Sequence, residues 1–142
     1  LTLQQEVASA MTAAPGKMNM LSVAVQYYAH ASLVCSVPAS AFRPPPKVTS
    51  ADVKMDLRSD PDIEVDDTDG FFALVRAGFS APRKQLRNSL GHGLASAGAA
   101  IDALLAEAEV DGTRRAETLD LHEWACLYRV WTDLGTCTRL GN

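Results

Sequence analysis

The segment with the most chemical character is Phe42-Arg-Pro-Pro-Pro-Lys-Val-Thr-Ser50. Its consecutive prolines fix φ and remove amide donors, so the run is a stiff extended loop. Such a loop holds its neighbours at little entropic cost. An aromatic side chain fixed at a cleft edge, here Phe42, can stack on a base extruded from a nucleic-acid strand. The competing reading is that Phe42 plugs an apolar core beneath a stiffened connection, and the residues alone leave both readings open. A second candidate is Arg76 together with Arg83-Lys84-Gln-Leu-Arg87-Asn88. In a helix that starts at Arg83, Arg83 and Arg87 share one face at i,i+4, with Lys84 and Asn88 beside them. A cationic face with an amide suits phosphate and ribose contacts on folded RNA. An ordinary solvated helix face is the competing reading.

Other chemistry is thin. His30, His92 and His122 share no metal-ligand spacing with one another or with a cysteine pair, so no metal is expected. Gly91-His-Gly93 follows an expected helix, where a phosphate loop would precede one, and reads as a helix stop. No Ser/His/Asp or Cys/His arrangement is arguable, and no GxGxxG follows a strand, so neither a catalytic residue nor a nucleotide site is visible. The three cysteines, Cys35, Cys126 and Cys137, are too widely spaced for a disulfide framework and suit a reducing, cytoplasmic setting. Cys126 falls at helical spacing among apolar residues and is expected in the core.

Two kinds of element must position these residues. The spacing predicts a helix over Gln5 to Ala13, stopped by Pro15-Gly16, and a second over Met20 to Tyr28, although β-branching there also permits a strand. Ser32 to Val37 reads as a short buried strand, Pro38 to Pro46 as an irregular loop, and Val48 to Leu57 as a strand with Val53, Met55 and Leu57 on one face. Ser59 to Asp69 is acidic and turn-rich, as in a solvated linker. Helices follow. One is capped by Thr68 or Asp69 and carries Phe71, Phe72, Val75 and Phe79. The next runs from Arg83 to Leu90 with Pro82 near its first turn. A third spans Ala99 to Ala108. A fourth opens on the capping box Asp120-Leu-His-Glu123 and continues through Trp124, Leu127, Tyr128 and Trp131. The expected fold class is therefore α+β, with residues 1–58 as the α/β part, 59–69 as the linker and 70–142 as an all-α domain.

Composition agrees with a globular chain: 142 residues, 47% hydrophobic and 21% charged, with a formal charge of −4. No apolar run approaches the ~20 residues of a bilayer span, so no membrane partner is expected. The start lacks both a signal-peptide pattern and an initiator Met, as expected of a piece of a longer chain. The net charge hides its own distribution. No acid occurs from Val7 to Ala51 or from Gly70 to Ile101, while eight acids crowd Asp52 to Asp69. Affinity for a phosphate backbone follows local charge, so the negative total does not exclude RNA.

The pattern Phe42-Arg-Pro-Pro-Pro-Lys-Val-Thr-Ser50 resembles the F-x-P-x-P-x-V-x-S motif of the ribosomal RNA adenine dimethyltransferases. Gln4-Gln-Glu-Val-Ala8, Leu21-Ser-Val-Ala-Val-Gln-Tyr-Tyr28 and Val37-Pro-Ala-Ser-Ala-Phe42 fit the same family in order. Phe71-Phe72, Val75-Arg76-Ala77, Phe79, Arg83-Lys-Gln-Leu-Arg-Asn88 and Arg114-Arg-Ala-Glu-Thr-Leu119 with Glu123-Trp124 are similar to its small-subunit branch. The last ten residues carry no match.

The resemblance implies S-adenosylmethionine-dependent dimethylation of N6 on two adjacent adenosines near the 3′ end of small-subunit rRNA, during ribosome biogenesis. It implies that Phe42, Pro44, Pro45, Pro46 and Lys47 form the target-adenine pocket, and that Arg76, Arg83, Lys84, Arg87 and Asn88 face the rRNA. The family's glycine-rich cofactor loop, acidic ribose ligand and N-L-P-Y motif are absent from this sequence. The expectation is therefore the C-terminal half of such an enzyme: the last strands and helices of a Rossmann-like domain followed by a small helical domain. That fragment would hold no cofactor, be inactive alone, and self-associate through an exposed sheet edge. The alternatives are a large-subunit, resistance-type adenine methyltransferase, and a non-catalytic relative acting as a ribosome-assembly or organellar transcription factor.

Overall fold

The computed structural model describes the backbone of residues 1–140 and the side chains of residues 1–135, which leaves the Cys137 side chain outside the described residues. The chain divides into two compact units, Leu1–Asp62 and Ile63–Asn142. No helix among the described residues is long and apolar enough to cross a membrane.

The first unit is an α/β arrangement with a small antiparallel sheet. Strand β1 (Thr2–Gln4) runs directly into helix α1 (Gln5–Met11), and helix α2 (Met20–Tyr28) runs directly into strand β2 (Ala29–Val37). Strand β3 (Ser50–Leu57) lies in the middle of the sheet, in the order β1-β3-β2. Capping chemistry decides α2 in favour of helix. The Asn19 side chain accepts from the Ser22 amide at 3.0 Å, and the Ser22 hydroxyl accepts from the Asn19 amide at 3.0 Å. That reciprocal pair satisfies two donors left open at a helix start. Ser22 Oγ also donates to the Ala10 carbonyl at 2.6 Å, and Gln26 Nε2 donates to Met11 and Ala13 carbonyls, which ties α2 to the end of α1.

Burial in this sheet departs from the sequence reading. Ala51 and Val53 are buried with Ala8, and Leu3 and Ala31 pack against them. Leu33, Val34 and Leu57 are 47%, 63% and 79% exposed, and Met55 is exposed too. The expected buried strand at Ser32–Val37 is thus a largely exposed edge strand. The expected Val53/Met55/Leu57 face is covered only at Val53, because α1 is seven residues long and packs at one end of β3. A register shift between Leu33 and Cys35 marks a bulge in β2.

In the second unit the elements are helices α3 (Thr68–Gly78), α4 (Leu86–Gly93), α5 (Gly98–Glu107) and α6 (Leu121–Leu140), with a 3-10 turn at Ala116–Thr118. Their inward stripes bury Phe71, Leu74, Val75, Leu86, Leu90, Ile101, Leu104, Leu119, Trp124 and Leu127. Two glycines permit close approach. A Cβ on Gly93 would sit 2.5 Å from Ala77 Cα, and one on Gly78 would overlap the Trp124 ring. Helix α4 takes in Gly91-His92-Gly93 and ends there, with a cap at Leu94, so the expected stop falls at the far end of that tripeptide. The acidic stretch is also not a uniformly solvated linker. Ile63 is buried, and Asp67, rather than Thr68 or Asp69, caps α3 by accepting from the Asp69 amide at 3.1 Å. Cys126 is half-buried, with its thiol 3.8 Å from the Ala108 carbonyl.

Candidate functional site

The proline-rich loop joins β2 to β3 and starts with a 3-10 turn at Ala39–Ala41, in which the Phe42 amide donates to the Ala39 carbonyl at 3.2 Å. The Arg43–Pro44 peptide is cis. At its far end the Thr49 carbonyl accepts from the Gln5 amide at 2.9 Å, one of the open donors at the start of α1. The loop is therefore anchored at both ends. Pro44, Pro45, Pro46 and Lys47 are exposed along it, and Phe42 is half-buried. Phe42 is neither fully buried nor fully exposed, and part of its surface stays open.

The cationic segment is built differently from the sequence reading. Helix α4 begins at Leu86, so the expected helix from Arg83 to Leu90 is corrected. Arg83 and Lys84 lie in a preceding turn, closed by the Lys84 amide donating to the Ala81 carbonyl at 2.8 Å. The buried Ser89 hydroxyl donates back to the same carbonyl at 2.9 Å, and Ser80 Oγ donates to the Ser89 carbonyl at 3.0 Å, which pins the turn to the helix. Arg83 and Arg87 consequently share no helical face. Arg76, in the last turn of α3, and Arg83, Lys84 and Asn88 are exposed.

Arg87 is exposed but not available in the way its sequence neighbourhood suggests. Its guanidinium grips the Asp102 carboxylate of α5 two-handed, Nε to Oδ1 and Nη2 to Oδ2, the latter at 2.8 Å. The hydrogen bonds from Arg87 hold the Asp102 carboxyl below the usual carboxylate range, and Asp102 raises Arg87 in return. The acid-free run from Gly70 to Ile101 thus ends one residue before the acid that neutralises one of its cations. Among the described residues Arg76, Arg83 and Lys84 make no ion pair, so they carry the open positive charge.

Sequence reasoning passed over the group behind this segment. Arg114 Nη1 and Nη2 hold both oxygens of Glu123, while its Nε and Nη2 donate to Thr118 Oγ1 and O at 3.1 and 2.7 Å. Glu123 in turn accepts from the Asp120 amide at 2.9 Å, and Asp120 accepts from the Glu123 amide at 2.8 Å, the expected capping box of α6. Arg114 holds the Glu123 carboxyl below its ordinary range. A capping box was legible at i,i+3, but an arginine nine residues away was not.

Among the described residues no group of three or more His, Cys, Asp or Glu side chains is placed to hold a metal ion. Hollows lined by described residues occur in both units. One of about 290 Å³ borders Gln26, His30 and Arg58 in the first unit. Another, about 410 Å³ and mostly apolar, lies between α5 and α6 beside Trp131.

A family model described as ribosomal RNA adenine dimethylase matches residues 1–126. The ribosomal RNA small subunit methyltransferase A of Dehalococcoides mccartyi is 42% identical over 131 residues, covering 92% of this chain and 45% of that protein. Its counterpart from Bacillus pumilus is 42% identical over 133 residues, covering 90% and 46%. The chain therefore spans under half the length of these relatives. The expected assignment to their C-terminal half finds no support in these matches. In fold, the chain is similar to a dimethyladenosine transferase from Plasmodium falciparum, with a TM-score of 0.78 at 23% identity over 95% of this chain and 57% of that one. It is also similar to the 23S rRNA methyltransferase ErmE, with a TM-score of 0.65 at 23% identity over 91% and 52%.

Proposed function

This chain belongs to the ribosomal RNA adenine dimethylase family, and from that premise we propose that it is part of an S-adenosylmethionine-dependent enzyme that dimethylates N6 of two adjacent adenosines in small-subunit rRNA. The observation that carries the reading is the 42% identity, over nine-tenths of the chain, to proteins named small subunit methyltransferase A. The likeness to a 23S enzyme is one of fold, and it gives the large-subunit alternative no comparable support.

The residues of this chain do not fit S-adenosylmethionine. Among the described residues no strand leads through a glycine-rich turn into a helix: β1 enters α1 without a loop, and the α1–α2 connection holds the single Gly16. We read this chain as inactive alone. Its own contribution is substrate handling. The half-open ring of Phe42, held by the anchored Pro44–Lys47 loop, stacks on the extruded adenine. Stacking of this kind is worth about 1–3 kcal/mol per base and fixes the plane in which the amino group is presented. The exposed cations Arg76, Arg83 and Lys84, with Asn88, contact phosphates and riboses of the rRNA. In this reading residues 1–58 belong to a larger, Rossmann-like sheet, and the helices from residue 70 form the rRNA-contacting domain.

Phe42 tests the reading in the complete enzyme. Phe42→Ala is expected to slow methylation at least about tenfold, from the lost stacking, while binding to small ribosomal subunits changes less than about threefold. An unchanged rate returns Phe42 to a purely structural role. The uncovered apolar residues of β2 and β3 and the unpaired edges of β1 and β2 support self-association of the isolated chain. Light scattering on a size-exclusion column is expected to give a mass above the monomer, and a clean monomer would refute this.

A further inference from the structure

We infer that Arg114 is a positioning residue: clamped by Glu123, it seats the start of helix α4 and thereby sets the pose of the Arg83–Lys84 turn. This rests on the reading above, in which that turn contacts rRNA. A helix start leaves amide donors open, and α4 has no side-chain cap at Gln85. The Asn88 and Ser89 amides donate to the Gln85 carbonyl, each at 3.0 Å. The two donors before them leave the helix altogether. Leu86 donates to the Arg114 carbonyl at 2.6 Å and Arg87 to the Gly112 carbonyl at 3.1 Å. The end of α4 from which Arg83 and Lys84 emerge is therefore capped by a loop some 25 residues away in sequence.

That loop is held as a unit. The Asp111 carboxylate accepts from the Thr113 amide and hydroxyl at 2.9 and 2.8 Å, and the Arg114 amide donates to the Asp111 carbonyl at 3.2 Å. Gly112 makes the approach possible, since a Cβ there would lie 2.8 Å from Leu105 Cδ1 and 3.3 Å from Arg87 Cβ. What fixes the far end is the Arg114 side chain, which is bonded to Thr118 and to the Glu123 carboxylate at the start of α6. One residue thus joins two helix starts, α6 through its side chain and α4 through its carbonyl. A two-handed arginine–carboxylate pair supplies orientation as well as energy, which a single hydrogen bond would not. Loosening it releases the Arg114 carbonyl, the Leu86 amide and the turn two residues before it.

The test is a cycle on the 142-residue chain, with purified small ribosomal subunits as the probe, at a temperature well below unfolding. Glu123→Gln is expected to weaken binding about threefold to tenfold, the range seen for residues that act through others. It should also speed hydrogen exchange at the Leu86 and Arg87 amides relative to Leu104 and Leu105 in α5. The same substitution in an Arg83→Ala/Lys84→Ala background should cost no further affinity. Full loss in that background, uniform acceleration of all four amides, or unchanged binding would each overturn the proposal, leaving Arg114 and Glu123 a purely structural pair. If Arg83→Ala/Lys84→Ala by itself leaves binding unchanged, the rRNA-contact reading of the turn falls, and the proposal with it. Should Glu123→Gln fail to fold, Arg114→Lys, which keeps the charge and loses the planar fork, is judged by the same criteria.

Discussion

At the scale of single residues, the four cations between Arg76 and Arg87 are not equivalent. Arg87 spends its fork on Asp102, whereas Arg76, Arg83 and Lys84 have no ion-pair partner among the described residues. The pair is solvent-exposed, so its charge is partly screened rather than abolished. Removing the acid should therefore strengthen a contact with phosphate. Asp102→Asn is expected to tighten binding to small ribosomal subunits about twofold to threefold at low salt, with the gain fading at high salt. Equal affinity at every salt concentration would place Arg87 away from the RNA. The sequence could not show this pairing, since Asp102 lies fifteen residues from Arg87 and reaches it only because α5 packs against α4. Phe42 was legible as the aromatic beside a proline run, but its half-buried state depends on loop ends anchored at Ala39 and Gln5.

At the scale of elements, what could be read depended on whether a helix satisfied its own ends. Helix α2 and the start of α6 carry capping residues three positions from the donors they satisfy, and both begin where those residues stand. Helix α4 borrows carbonyls from Gly112 and Arg114, so nothing local marks its first residue, and the turn at Arg83 reads as helix. Strand β2 looked buried because Leu33, Val34 and Val37 are apolar, yet burial is decided by what covers a strand, and α1 reaches only the Ala51–Val53 part of the sheet. The α6 start also sets a pH dependence. Hydrogen bonds from Arg114 depress the Glu123 pKa in the folded state. The stability this contributes is present above the unfolded glutamate value of about 4.3 and is lost as pH falls through the folded value. The helical unit is expected to lose stability through this group on acidification, measured by thermal melts between neutral pH and about pH 3. Glu123→Gln should flatten that part of the profile, and an identical profile in the variant would show that Glu123 titrates alike in both states.

At the scale of the whole molecule, the negative total charge concealed two acid-free stretches, and the fold makes their contents unequal. The first holds the Phe42 loop in an α/β unit whose apolar sheet is only partly covered; the second holds the open cations at the end of α3 and just before α4 in a helical unit. The chain spans under half the length of its curated relatives, and the proposal is that its own residues handle rRNA without a cradle for the methyl donor. Binding of the 142-residue chain to small ribosomal subunits over a range of salt concentrations tests that claim most directly. Replacing Arg83 and Lys84 together by alanine should weaken binding and make the slope of log affinity against log salt shallower by about 1.5, as expected when two phosphate contacts are lost. An affinity and slope identical to those of the unsubstituted chain would contradict the account.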